Sequence, residues 1–249
     1  MPNHVTNLIT FDCSADRFEE IAEFLRCKDD ILGSVDFNKL IPMPKSLEIE
    51  CGSRGEEGLK LYKRFLEWNE KNDPFGTKEE MLTEYIKKVE ADPEIFELGK
   101  QYYENLRDHG SSTWYDWSLD NWGTKWNAYD CIEVDADSKY LQFNTAWSSV
   151  PNILALLSEE FPEVKMEYKW ADEDIGHNVG TAIFYEGELQ EYDVPNGGSK
   201  EAYELAAEVL DFDLAEWGYA LTKDGSTYEY VGENLYVNDT PELSSGEER

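Results

Sequence analysis

Between residues 118 and 130 the chain reads SLDNWGTKWNAYD, which brings Trp122, Gly123, Lys125, Trp126 and Asn127 close together. These are residue types from which a pocket for a small molecule or nucleotide can be built. Indoles stack planar groups, a lysine neutralises an anion, an asparagine reads polarity, and a glycine admits close approach. The same residues also suit an architectural role. Gly123 can end a short helix carrying Trp114 and Trp117 by adopting positive φ, while the aromatic rings join an inserted segment to a sheet. Aromatics at helix-end spacing are usually core, so the architectural reading leads and a ligand-binding sensor or sequestering module is the alternative.

Other chemistries find less support. His4, His109 and His177 are dispersed and lack the i, i+3 or i, i+4 partners that would place two ligands on one helix face. No serine or cysteine has the local context of an activated nucleophile. The pairs Asp135/Asp137, Asp172/Asp174 and Asp211/Asp213 invite a divalent-cation test. With Asp135 as the first position of a calcium loop, Tyr140 falls where glycine is needed and Ala146 where glutamate is needed, so that match fails. The run PNGGSK at 195–200 lacks the spacing of a phosphate loop and reads as a loop capped by Ser199. The expectation is a non-enzymatic protein with no catalytic residue, no metal and no cofactor.

Charge is the more informative feature. Among 249 residues, 54 acids face 22 lysines and arginines, a formal net charge of -32. Such a chain repels phosphates, which argues against direct nucleic-acid binding and against an anionic membrane. The excess is concentrated late: residues 131–249 hold 27 acids against 6 bases. A basic surface on a host protein is therefore the expected partner. Asp172, Glu173, Asp174, Glu186, Glu188, Glu191, Asp193, Asp211 and Asp213 are the candidate acidic face. Imitation of nucleic acid sets a stricter condition. A folded chain of this mass offers roughly 350 Å² per net charge against roughly 100 Å² on duplex DNA, so mimicry needs the acids gathered into one field.

The elements that would position these groups are legible from periodicity. HVTNLITF alternates as a strand, and Ser14 precedes a helix with Phe18, Ile21, Ala22 and Leu25 on one face. SVDFNKLIPMP reads as a second strand. Three amphipathic helices follow, near 56–71, after a Thr77/Glu80 capping box, and after Asp92-Pro93, forming a helical insertion at about 52–110. YDCIEV and YLQFNTAW read as strands, Ser148 or Ser149 with Pro151 as a helix start, and VKMEYKW as a period-2 strand. Hairpins are expected at Glu186-Gly187 and at Asp224-Gly225, separated by a helix capped by Ser199. Cys13, Cys27, Cys51 and Cys131 show no pairing pattern and read as reduced core thiols. The chain shows neither a secretory leader nor an apolar run of the roughly 20 residues that span a bilayer, so a soluble, cytoplasmic protein is expected.

The opening MPNHVTN, the run WYDWSLDNWGTKWNAYD, FNTAWSSVP and EYKWADEDIGHNVG together resemble the YubB-type ferredoxin-like proteins of bacteriophages and conjugative plasmids, in order and over roughly residues 1–190. The resemblance implies a ferredoxin-like topology without an iron–sulfur cluster and a home on mobile elements. It implies no activity and transfers no functional residue. The resulting expectation is an α+β fold, a ferredoxin-like (split βαβ) antiparallel sheet with helices on one face, an inserted helical subdomain and a C-terminal α/β-hairpin extension. Its parts are a domain at 1–195, an acidic helix-and-hairpin unit at 196–237, and a disordered tail at 238–249. Its function would be that of an accessory protein binding a host defence or DNA/RNA-handling factor, a candidate nucleic-acid mimic.

Overall fold

Strand β1 (His4–Asp12) sends Val5, Asn7, Ile9 and Phe11 to one side, all buried, as its alternation requires. Helix α1 (Ala15–Leu25) starts where Ser14 accepts from the Arg17 N–H, and buries Phe18, Ile21, Ala22 and Leu25. These elements belong to a computed structural model that describes residues 3–70, 79–135 and 137–232. The chain divides into two compact units, Asp36–Asn127 and the described residues on either side of it.

The flanking unit is built on a five-stranded sheet in the order β2-β1-β3-β4-β5. Its other strands are β2 (Tyr140–Ala146), β3 (Lys165–Asp172), β4 (Gly180–Tyr185) and β5 (Glu188–Asp193), and every neighbouring pair is antiparallel. Strands β2 and β3 are connected through α6 (Pro151–Glu160) and both flank β1, which therefore splits a βαβ unit. Neither Ser148 nor Ser149 caps α6. Val150 holds that position without a side-chain bond, Pro151 follows it, and the Val150 N–H donates to the Tyr168 hydroxyl.

Two expected strands are altered. SVDFNKLIPMP is not a strand, because Asp36 accepts from the Asn38 N–H and turns Phe37–Lys39 into a 3-10 helix. YDCIEV runs along the outer edge of β2, but only in part. Tyr129 exchanges both backbone bonds with Asn144, and Ile132 next donates to Gln142. Three residues thus advance against two, with Asp130 at φ 49, so the segment is bulged rather than a regular ladder.

The inner face carries Leu141, Phe143, Met166, Tyr168, Trp170, Ala182 and Phe184. It also buries a polar knot, in which the Tyr168 hydroxyl donates to Asn7 Oδ1 at 2.6 Å while Asn7 Nδ2 donates to Thr145 Oγ1 at 2.8 Å. Burial pushes the Tyr168 phenol far above its ordinary value, so it remains a donor. On the opposite face Ala171 packs with Ala202, Ala206 and Val209 of α7 (Lys200–Val209), which Ser199 caps. A short hairpin, β6 (Tyr219–Leu221) with β7 (Tyr228–Tyr230), follows α7 and turns through Gly225.

The helical unit contains α2 (Ser53–Glu70), α3 (Glu79–Ala91), α4 (Glu94–His109) and α5 (Trp114–Asn121). Helices α2 and α4 come so close that a Cβ on Gly99 would lie 2.0 Å from the Gly58 carbonyl oxygen. Tyr62, Phe65 and Phe96 pack around that crossing, with Tyr62 also against Tyr103. Arg54 grips both carboxylate oxygens of Asp92, at 2.6 and 2.8 Å, ahead of α4. Thr77 of the expected capping box, and residues 238–249, lie outside the described residues.

Candidate functional site

The outer face of β3, β4 and β5 carries cross-strand rows of charged and polar groups. Glu167 is in register with Ile183 and Glu191, and Lys169 with Thr181 and Asp193. These residues line a shallow hollow of about 500 Å³. Two lysines stand on this face of β3, Lys169 lining the hollow, and each is paired: Lys165 with Glu167 at 2.8 Å and Lys169 with Glu208 of α7 at 2.5 Å. The first pair, chiefly through its hydrogen bond, holds the Glu167 carboxyl below and the Lys165 ammonium above their ordinary values.

Glu208 carries this surface onto the end of α7. There Glu208, Asp211, Asp213 and Glu216 line a groove of about 590 Å³ with Phe212 and Trp217. The two rings pack at 4.8 Å, and Trp217 remains 55% exposed. Asp213 accepts from the Ala215 and Glu216 N–H groups, which fixes the turn beyond the helix. Asp211 stands just past the Leu210 C-cap with φ 54, and the Phe212 N–H reaches back to the Ala207 carbonyl at 3.1 Å. This is a Schellman ending whose left-handed position favours glycine or asparagine, at a helix end that favours cations. An aspartate tolerates the left-handed position, but its charge is unfavourable at this end.

The remaining expected partner residues scatter. Glu186 and Gly187, at φ 54 and 75, form the two-residue turn between β4 and β5, and Glu188 opens β5. Glu191 and Asp193 lie further along β5, all of whose residues are exposed. Glu173 and Asp174 are exposed beyond β3. Asp172 is not a surface acid. It is 5% exposed, and its carboxylate accepts from Asn3 Nδ2, the Asp174 N–H and Asn178 Nδ2 at 2.9–3.0 Å. Its charge is spent on closing the loop after β3. Sequence reasoning missed Glu167, Lys169, Glu208, Glu216 and Trp217. The available signal was the absence of any base in the last turn of α7.

The tryptophan segment is mainly architecture. Gly123, at φ 78, follows α5, and the Trp122 and Gly123 N–H groups both return to the Ser118 carbonyl. Trp122 is buried against Phe37 and Trp117, with its indole N–H on the Ile41 carbonyl at 3.0 Å, so it builds the helical unit's own core. Asn127 lines a cleft and is also engaged within the unit. Its amide accepts from the Phe37 N–H at 2.8 Å and donates to Asp36 at 2.7 Å, clasping the two chain ends of the unit. A cleft of about 470 Å³ nevertheless opens beside this core, walled by Met43, Ile49, Trp114 and Trp122, with Lys125 Nζ 4.5 Å above the half-exposed Trp126 ring.

The other motifs resolve simply. His4 Nδ1 lies 2.8 Å from the Tyr129 hydroxyl, and among the described residues no group of three or more His, Cys, Asp or Glu is placed to hold a metal ion. The Gly198 N–H donates to the Gly176 carbonyl at 2.8 Å, so the glycine-rich loop before α7 is tied to the segment between β3 and β4. Cys27 and Cys51 are exposed rather than core thiols, whereas burial raises the Cys131 thiol above its ordinary value. Among the described residues no helix is long and apolar enough to cross a membrane.

Residues 122–213 match the family model described as the ferredoxin-like domain in Api92-like protein. The fold is ferredoxin-like. The match takes in strands β2 to β5 with α6 and α7, and so spans both the sheet's outer face and the acidic helix end. No curated protein matches the sequence. Among solved structures, that of a protein Api92 from Yersinia pseudotuberculosis is similar over 80% of this chain and 99% of that one, at 11% identity and a TM-score of 0.35.

Proposed function

We propose that this ferredoxin-like protein is a non-enzymatic binding protein whose acidic face, running from β5 across Lys169–Glu208 to the end of α7, takes a basic surface of another protein. The observation that carries the reading is Asp211. A helix C-terminus is stabilised by cations and destabilised by anions, by about 0.3–1 kcal/mol each. Yet α7 has no base in its last turn, and while Glu208 is paired with Lys169 of β3, Asp211 joins no ion pair among the described residues. A carboxylate kept where it costs helix stability is best accounted for by an external cationic partner, with Trp217 as an aromatic anchor for arginine or lysine.

Lys165 and Lys169 interrupt the field, so a protein patch that combines charge with apolar contact suits this surface better than imitation of an unbroken phosphate array. In keeping with the YubB-type resemblance, we take the protein to be phage- or plasmid-borne and to act in the cytoplasm of a bacterial host, and its acidity suggests a defence or nucleic-acid-handling factor as the target class. Capture from bacterial lysate tests the reading with the full chain and with Asp211→Lys/Glu216→Lys. A basic protein should be retained by the native chain at about 50 mM salt and released near 500 mM, where the Debye length falls to a few ångströms. It should be lost from the variant at either salt. Equal retention by both chains contradicts the proposal.

The cleft beside Trp126 favours a second reading, a sensor or sequestering module for a planar anionic metabolite. Its volume of about 470 Å³ is within the range of small-ligand sites. Ligand-induced quenching of tryptophan fluorescence that Trp126→Ala abolishes without unfolding would support it, and silence across a panel of nucleotides and aromatic acids would remove it.

A further inference from the structure

The sheet has two edges, and they are treated differently. Beyond β2 lies the bulged 129–132 segment, which engages Asn144 and Gln142. Beyond β5, among the described residues, no backbone group bonds outside the β4–β5 ladder. An uncovered edge presents a row of unpaired N–H and C=O groups, to which any extended chain can add.

Side chains on β5 select what can add. Glu188, Glu191 and Asp193 are its charged residues, with no lysine, arginine or proline among its six positions. Leu189 and Tyr192 are 50% and 53% exposed. Tyr192 is held in place, because its ring packs 5.7 Å from Trp170, which in turn packs 5.2 Å from the buried Tyr168. That stack leads from the core to the edge. It needs Gly180, where a Cβ would lie 2.3 Å from the Trp170 ring. A rigid, half-exposed aromatic flanked by carboxylates has the composition of an interface anchor. A second copy of the chain would bring the same carboxylates against one another, and like charges directly opposite are unfavourable.

We infer that β5 accepts an extended, basic segment of the partner as an added strand, lysines or arginines opposing Glu188, Glu191 and Asp193 and apolar residues covering Leu189 and Tyr192. This rests on the acidic-face reading above and specifies how that face engages. The probe is a capped alternating lysine–valine octapeptide, added to the isotopically labelled full chain at low salt while amide exchange and shifts are followed. Part of the β5 amides should exchange at least about tenfold more slowly, and the glutamate–valine counterpart should bind at least about tenfold more weakly. An N-methylated lysine–valine peptide, which cannot donate to a ladder, should give no protection. Glu191→Lys/Asp193→Lys should reverse the preference between the two charged peptides.

Shifts confined to Glu208–Trp217 with β5 exchange unchanged overturn the strand-addition inference and leave the acidic-face reading standing. Equal protection by the N-methylated peptide also overturns it. No response anywhere to the lysine–valine peptide removes both. Protection of β5 that grows with protein concentration alone would assign the edge to a second copy and overturn the inference.

Discussion

Asp172 and Asp211 show how differently one residue type is used in this chain. Asp172 is buried and accepts from Asn3, Asp174 and Asn178. Asp172→Ala leaves those donors without their acceptor and should lower stability by about 1–3 kcal/mol in denaturant unfolding, whereas Glu173→Ala, on the surface, should fall within about 0.5 kcal/mol. Asp211 has the opposite character. Asp211→Asn keeps a residue that tolerates φ 54 and removes the misplaced charge. It should raise the unfolding midpoint slightly while weakening partner binding. A variant that gains stability and keeps full affinity would break the link between this carboxylate and function. At this scale the signal was present only if β3 is carried past Trp170: the alternation of Met166, Tyr168 and Trp170 then continues to Asp172, whereas a strand ended at Trp170 leaves all of DED on the surface.

At the scale of elements, close packing in the helical unit depends on Gly58 and Gly99. Gly99→Ala would place a methyl carbon 2.0 Å from backbone, which cannot be relieved by rotating a side chain. It should cost at least about 1–3 kcal/mol, the range for overpacked cores, measurable as a fall in the thermal midpoint of that unit. The start of α4 adds a pH dependence. The Arg54 guanidinium beside Asp92 holds that carboxyl below its ordinary value of 3.8. A depressed folded-state value means the contribution is complete above about pH 4 and is lost as pH falls through the lower value. Acid unfolding should therefore begin earlier in Arg54→Gln than in the native chain, with the difference fading at lower pH.

Regular elements were legible from periodicity: β1, α1, β3, the β4–β5 hairpin and α7 stand where apolar spacing and caps put them. The failures were local. Asp36 captures a neighbouring N–H and turns a β-like run into a 3-10 helix, and Asp130 at φ 49 bulges another. In both cases short polar side chains or left-handed backbone, invisible to alternation, override it.

Over the whole molecule, the acidic excess of the later half is partly gathered and partly spent. The sequence made its sign and its bias toward the C-terminal half plain. Strand alternation also put Lys165 and Lys169 on the polar face of β3, but it could not show that Glu208 links the sheet to the groove beside Trp217. The central claim is that carboxylates on β5 and at the end of α7 attract a basic protein. Its most direct test is the dissociation constant of a captured partner, measured against salt for the full chain. Affinity should fall steeply and linearly in log–log form, with a shallower slope in Asp211→Asn/Glu216→Gln. An affinity that holds constant from low to high salt, or a slope unchanged by those substitutions, would contradict the account.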